Sequence, residues 1–453
     1  MVDIASLLGT SLLVKRRGAR LFSRWLPVTL ILSISAASPA VAGIVPACAG
    51  YTGWSGQTNP PTDAAGTGNT GFPEASSTSY FSAILNAAIG SVVTIHVQYP
   101  LSRFMSLAIN TPSGQEASSL SDYQIQPDPG QNNPFISGTK NGTFTAYLVF
   151  GPEPSTPAAN TIYTGTLTNV NLIYRVYHTT NPNDPAGSAT NPVTPNLSMN
   201  GQPLSNCPVQ PILPANSTPW DRLDLGDWMG TLPTAAQQFN ANANPTWRVV
   251  NPSNPAHLSP NGSDFYMDIL LSRQFLAPNT GDNLFVIHFE APTFPNTRAG
   301  APPYANEQVR FWSICTDDPY TTNVNRCDPD DSVTLDSQRG ALIVISDPGS
   351  EPSQAAMTQF KATWLPWGAL DLPTDVVYDG HQQPWGIDTP VQYYNFVFLR
   401  QTLANPAFTQ SMAAVSLLPT SEQQAAMGAY WPVSGYCSTA AFEARGARCL
   451  SGE

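Results

Sequence analysis

A chain of 453 residues that is 42% hydrophobic and only 11% charged can bury sizeable cores, which argues against wholesale disorder. Its 44 prolines and 32 glycines are scattered along its length, which argues against long helical bundles, because proline breaks helix interiors. The formal charge of −12 disfavours nucleic acid as a partner, since that binding needs Lys and Arg set against phosphates.

Residues 1–42 are expected to be an export signal. Lys15, Arg16, Arg17, Arg20 and Arg24 precede an apolar run at 25–37, and Ala40-Val41-Ala42 offers a small-residue cleavage pattern before Gly43. That run is shorter than the roughly 20 residues of a transmembrane helix, and no later stretch is longer. The mature chain is therefore expected to have no membrane span. Of the 19 basic and 31 acidic residues, five and one lie in this segment, so the mature charge is −16.

Six cysteines follow the signal: Cys48, Cys207, Cys315, Cys327, Cys437 and Cys449. An even number in an exported chain points to disulfides. Local spacing favours Cys315–Cys327 and Cys437–Cys449, leaving Cys48 with Cys207, although other connectivities stay open.

The next elements come twice, in the same order. An aromatic segment at Tyr80-Phe81 leads to the strand Val93-Thr-Ile-His96-Val-Gln-Tyr-Pro100, then Arg103-Phe-Met-Ser106-Leu107, then an acidic stretch from Asp122 to Asp128. A Gly-led strand at 142–150 and a closing strand at 171–177 complete the copy. After a Pro/Asn/Ser-rich connection at 181–218, the order returns: Phe265-Tyr266, Phe285-Val-Ile-His288-Phe-Glu-Ala-Pro292, Arg310-Phe-Trp-Ser313-Ile314, Asp331 to Asp336, a Gly-led strand at 340–346 and a closing strand at 395–400. Val, Ile and Phe enrichment with Pro and Gly punctuation reads as short strands. Helix signals are confined to 406–415, 421–427 and 439–447. The expected fold is mainly β: two tandem, related antiparallel β-sandwich domains, at 43–215 and 216–405, with a short helical, disulfide-pinned C-terminal tail at 406–453.

Arg310-Phe-Trp-Ser-Ile, Leu335-Asp-Ser-Gln-Arg-Gly-Ala-Leu-Ile-Val, Thr363-Trp-Leu-Pro and the closing strand resemble the bacterial domain of unknown function 1214, which often follows a partner, domain 1254. The whole chain is similar to exported bacterial proteins with two such β-domains in tandem and a Gly-Tyr-Cys tail, here Gly435-Tyr436-Cys437. The resemblance implies a β-sandwich-rich protein of the bacterial periplasm or exterior. It implies no reaction, cofactor or catalytic set.

His96 and His288 occupy equivalent strand positions and are the candidate acid/base groups. Arg103 and Arg310 could hold a ligand carboxylate, or pair with Asp122, Asp128, Asp331 and Asp336 of their own repeats. Trp364, Trp367 and Trp385 sit in Pro/Gly-rich sequence and could stack on a ligand or cap a core. Asp317, Asp318, Asp328, Asp330 and Asp331 surround the Cys315–Cys327 loop and could supply oxygen ligands to calcium, although their spacing does not match an EF-hand. The functional expectation is a binder of a small, partly apolar or carbohydrate-like molecule held between the repeats and the tail. The alternatives are an exported hydrolase or lyase using a strand histidine, and a structural cell-envelope component. The oligomeric state is left open.

Overall fold

Alternation decides which strand faces are buried. Thr143–Val149 reads Thr-Phe-Thr-Ala-Tyr-Leu-Val and buries Phe144, Ala146 and Leu148 while the other side chains point outward. The computed structural model describes residues 54–58, 78–111, 116–137, 142–181, 195–204, 245–250, 262–272, 283–303, 306–317, 324–367 and 394–451. All lie within one unit, Val45–Glu453.

The first repeat supplies β1 (Ser55–Thr58), β2 (Thr78–Asn86), β3 (Val92–Gln98), β4 (Ser102–Asn110), β5 (Glu116–Ser121), β6 (Thr143–Val149), β7 (Thr161–Tyr163), β8 (Asn169–Thr179), β9 (Asn196–Met199) and β10 (Gln202–Pro203). The second supplies β11 (Arg248–Val249), β12 (Asp264–Ser272), β13 (Leu284–Glu290), β14 (Val309–Asp317), β15 (Val324–Pro329), β16 (Gly340–Ser346), β17 (Ala362–Pro366), β18 (Tyr394–Ala404) and β19 (Val433–Cys437). Each repeat has an inner sheet, ordered β1-β2-β8-β4-β5 and β11-β12-β18-β14-β15, and an outer sheet, ordered β10-β9-β3-β6-β7 and β17-β16-β13-β19. Only β6–β7 and β16–β17 pair in parallel among the described strands.

One apolar core lies between the sheets of each repeat, built around Leu107, Phe144 and Leu172 in the first and Ile269, Ile287 and Leu399 in the second. The inner sheets then meet each other. Every residue of β4 is buried because its second face packs on the other repeat.

The duplication extends to register. Tyr80, Arg175 and Ser106 stand side by side across β2, β8 and β4, as Tyr266, Arg400 and Ser313 do across β12, β18 and β14. Both closing strands also carry a left-handed, non-glycine residue at one position, His178 (φ 52°) and Leu403 (φ 49°). That conformation is uncommon for such side chains.

The tail packs on the second outer sheet. Helices α1 (Pro134–Ser137), α2 (Gln354–Phe360), α3 (Met412–Val415), α4 (Thr420–Met427) and α5 (Thr439–Arg445) are short. Ser353, Ser411 and Ser438 cap α2, α3 and α5 with their side-chain oxygens. Phe442 of α5 and Met357 of α2 join Val286, Leu342 and Val344 in a third apolar cluster. Cys437–Cys449 closes the tail, and Cys315–Cys327 links directly paired residues of β14 and β15. Both are the pairs that spacing favoured; Cys48 and Cys207 lie outside the described residues. Helix α2 was not expected from sequence, and the helix expected over 406–415 is confined to Met412–Val415. No helix among the described residues is long and apolar enough to cross a membrane.

Candidate functional site

The arginines of the repeated Arg-Phe motif meet carboxylates, but across the repeats and not within them. Arg103 of β4 pairs with Asp330 of the second repeat, and both side chains are fully buried. Reciprocally, Arg310 of β14 donates to Asp122 of the first repeat at 3.2 Å. Each aspartate also accepts a backbone N–H two residues beyond an arginine: Asp122 from Met105, and Asp330 from Trp312. Asp330 is therefore the structural counterpart of Asp122, one position earlier than the sequence comparison placed it. Burial pushes both acids up to about 6 even though each faces an arginine.

Beside Arg103 lies His178. Burial and the Arg103 charge pull it down to about 3, so it is neutral at pH 7. Its Nε2 therefore donates to Asp331 at 2.8 Å. Arg298 (3.6 Å) and Arg103 (3.7 Å) also face Asp331; although burial works against its charge, the hydrogen bond from His178 and, after it, the two guanidiniums hold Asp331 below the usual carboxylate range. His178, Asp330 and Asp331 bring three ligand-type atoms within 4.8 Å. Two carboxylates against two guanidiniums already balance charge there, so an added divalent cation would meet arginine on both sides.

The calcium candidates divide among separate partners. Asp328 is held by Arg326 at 2.9 Å, Asp330 by Arg103, and Asp331 by His178. Asp317 is buried, and Asp318 lies outside the described residues. Trp367 is part of the second core, Trp364 is half-buried and donates to Ser346 at 3.0 Å, and Trp385 lies outside the described residues. The layer between the repeats, where a ligand was expected, is rich in aromatic side chains. Phe104, Tyr177 and Phe311 stack across it, and Arg400 lies over Tyr177 at 4.8 Å.

The histidine pair does not converge, because each member sits on the outer sheet of its own repeat. His288 is half-buried between Leu342 and Val433. His96 is open, with 49% of its side chain exposed; its Nδ1 lies 3.1 Å from Thr145 Oγ1 and 3.5 Å from Asp128 Oδ2. Thr143 donates to the same carboxylate at 2.7 Å.

His96 belongs to a polar sheet face. Asn196, His96 and Thr145 form one row across β9, β3 and β6, and Ser198, Thr94, Tyr147 and Thr161 form the next, extending to β7. Tyr147 is 39% exposed in the middle of that row. Sequence reasoning singled out His96 and named Asp128 only as a partner for an arginine; it missed Tyr147 and the face the three share. The polar–apolar alternation from Thr143 to Leu148 was the signal that could have found it.

No family model matches the chain, and no curated protein matches it. Among solved structures it is similar to an uncharacterized protein from Burkholderia cenocepacia, with 13% identity and a TM-score of 0.44, over 87% of this chain and 83% of that one. It is also similar to the VPA0106 protein from Vibrio parahaemolyticus, with 12% identity and a TM-score of 0.36, over 76% of this chain and 86% of that one. Both are bacterial proteins of unknown function.

Proposed function

We propose that this is an exported, non-catalytic binding protein that holds a carbohydrate-like ligand on the open face of its first outer sheet. The observation that carries the proposal is the exposed Tyr147, set among threonine hydroxyls with His96 and Asp128 beside it. A tyrosine ring offers an apolar plane to the C–H face of a sugar, and neighbouring hydroxyl, amide, imidazole and carboxylate groups suit its hydroxyls. Strands about 4.8 Å apart present those groups in regular rows. Two disulfides fit an oxidising compartment. The motif resemblance to domains 1254 and 1214 fits the tandem β architecture and adds no reaction. Titration calorimetry tests the proposal with soluble oligosaccharides: Tyr147→Ala should weaken binding at least tenfold. Unchanged affinity in that variant contradicts the assignment.

A second function, hydrolase or lyase, is favoured by one observation, the 3.5 Å approach of His96 to Asp128. It predicts turnover that His96→Gln abolishes while affinity for the substrate remains.

A further inference from the structure

Arg400 sits mid-strand in β18, at the buried meeting of the two inner sheets, with its side chain fully enclosed. Its Nη1 lies 3.3 Å from Tyr80 Oη, and its guanidinium rests over the rings of Tyr177 and Phe311 at 4.8 and 5.5 Å. The other edge of the fork is different. Nε and Nη2 both lack a hydrogen-bond partner, and no carboxylate among the described residues lies within 4.0 Å of the group. Ser313, directly beside Arg400 across β14, has an unpartnered and buried hydroxyl too. Asp264, an acid on the neighbouring strand β12, accepts from Tyr177 at 2.8 Å and from Thr402 at 2.5 Å.

A buried cation with two unused donors is costly, and aromatic faces recover only part of the loss. Nε–H and one Nη2–H point the same way along one edge of the guanidinium plane, which is the two-donor arrangement that matches two oxygens of a planar anion. We infer that Arg400 binds a small planar oxyanion, such as a carboxylate or bicarbonate, through Nε and Nη2, with the Ser313 hydroxyl as a further donor. Because the position is sealed by both inner sheets, the anion is taken up as the repeats close on one another. It is a site separate from the open face of the first repeat and does not depend on the ligand assigned there.

The test uses the full mature chain, unfolded in urea with its disulfides intact and refolded at one ionic strength in chloride, acetate or bicarbonate. The melting temperature should be several degrees higher in acetate or bicarbonate than in chloride, and the increase should saturate with concentration. Arg400→Lys keeps the charge but loses the fork, so it should erase the difference between anions. Equal melting temperatures in all three salts, as expected if the chain supplies its own carboxylate to Arg400, would overturn the inference. So would an acetate effect that survives Arg400→Lys. Should that variant fail to fold, equilibrium dialysis of labelled acetate against refolded wild type decides: one acetate per chain supports the site, and none refutes it.

Discussion

The two outer sheets share a backbone plan and an outward histidine, and differ in the side chains around it. Register pairs Thr94 with Val286, Thr145 with Leu342, Tyr147 with Val344 and Asn196 with Val433 as equivalents around His96 and His288. In the second repeat Val286, Leu342 and Val344 lie beneath the disulfide-closed tail. In the first, the same positions are polar and Tyr147 is exposed. A duplicated sheet thus has two uses. One copy is a platform that anchors the tail, and the other keeps an accessible face, where we propose the ligand is held. The difference lies in side chains that alternate out of the core, so it leaves the buried halves of both sandwiches alike.

The comparison is broken most severely where the copies lock together. Arg103→Met leaves Asp330 buried without its cation, and urea unfolding should show a loss of about 3–5 kcal/mol. The next effect concerns the tail alone. Replacing Cys437 and Cys449 with serine should lower stability by about 3 kcal/mol and expose the apolar outer face of the second repeat to hydrogen exchange, leaving the first unchanged.

A smaller effect comes from pH. Asp122 and Asp330 are held near 6, above their ordinary 3.8, so they contribute stability that is present at low pH and lost as pH rises through about 6. His178 works oppositely: held near 3, it contributes stability present above 6.5 and lost as pH falls toward 3. Two acids outweigh one base between pH 7 and 5, so these groups together favour the fold as pH falls through that window. Denaturation across that range should show His178→Asn steepening the gain and Asp122→Asn reducing it. Tyr147→Ala sharpens the comparison with the least cost to the fold, because an exposed side chain away from the core should change stability by about 0.5 kcal/mol or less.

Much of the architecture is legible in the residues themselves. The paired Arg-Phe and Ile-His motifs, the Gly-led strands and the twelve-residue cysteine spacings mark the repeats and two disulfides. The exchange of ion pairs is not legible, because an arginine and an aspartate in each copy read the same whether they pair within it or across. Only the facing of the inner sheets decides between them. The one-residue offset between Asp330 and Asp331 was hidden by two adjacent acids, and only the hydrogen bond to Trp312 N separates them. His178 and Leu403 share a backbone conformation but no side-chain chemistry, so their equivalence leaves no sequence trace. The contrast between the outer faces, however, was visible: Thr-Phe-Thr-Ala-Tyr-Leu-Val alternates, whereas Ala-Leu-Ile-Val-Ile is continuously apolar, the pattern of a strand covered on both sides.

The most direct measurement compares wild type on a glycan array with a triple variant, Thr94→Val, Thr145→Leu and Tyr147→Val, which gives the first outer sheet the residues of the second. Wild type should bind a defined set of glycans, and the variant, folded with a similar melting temperature, should bind none of them. Identical array profiles for the two proteins, or no glycan bound by wild type, would contradict the open-face account.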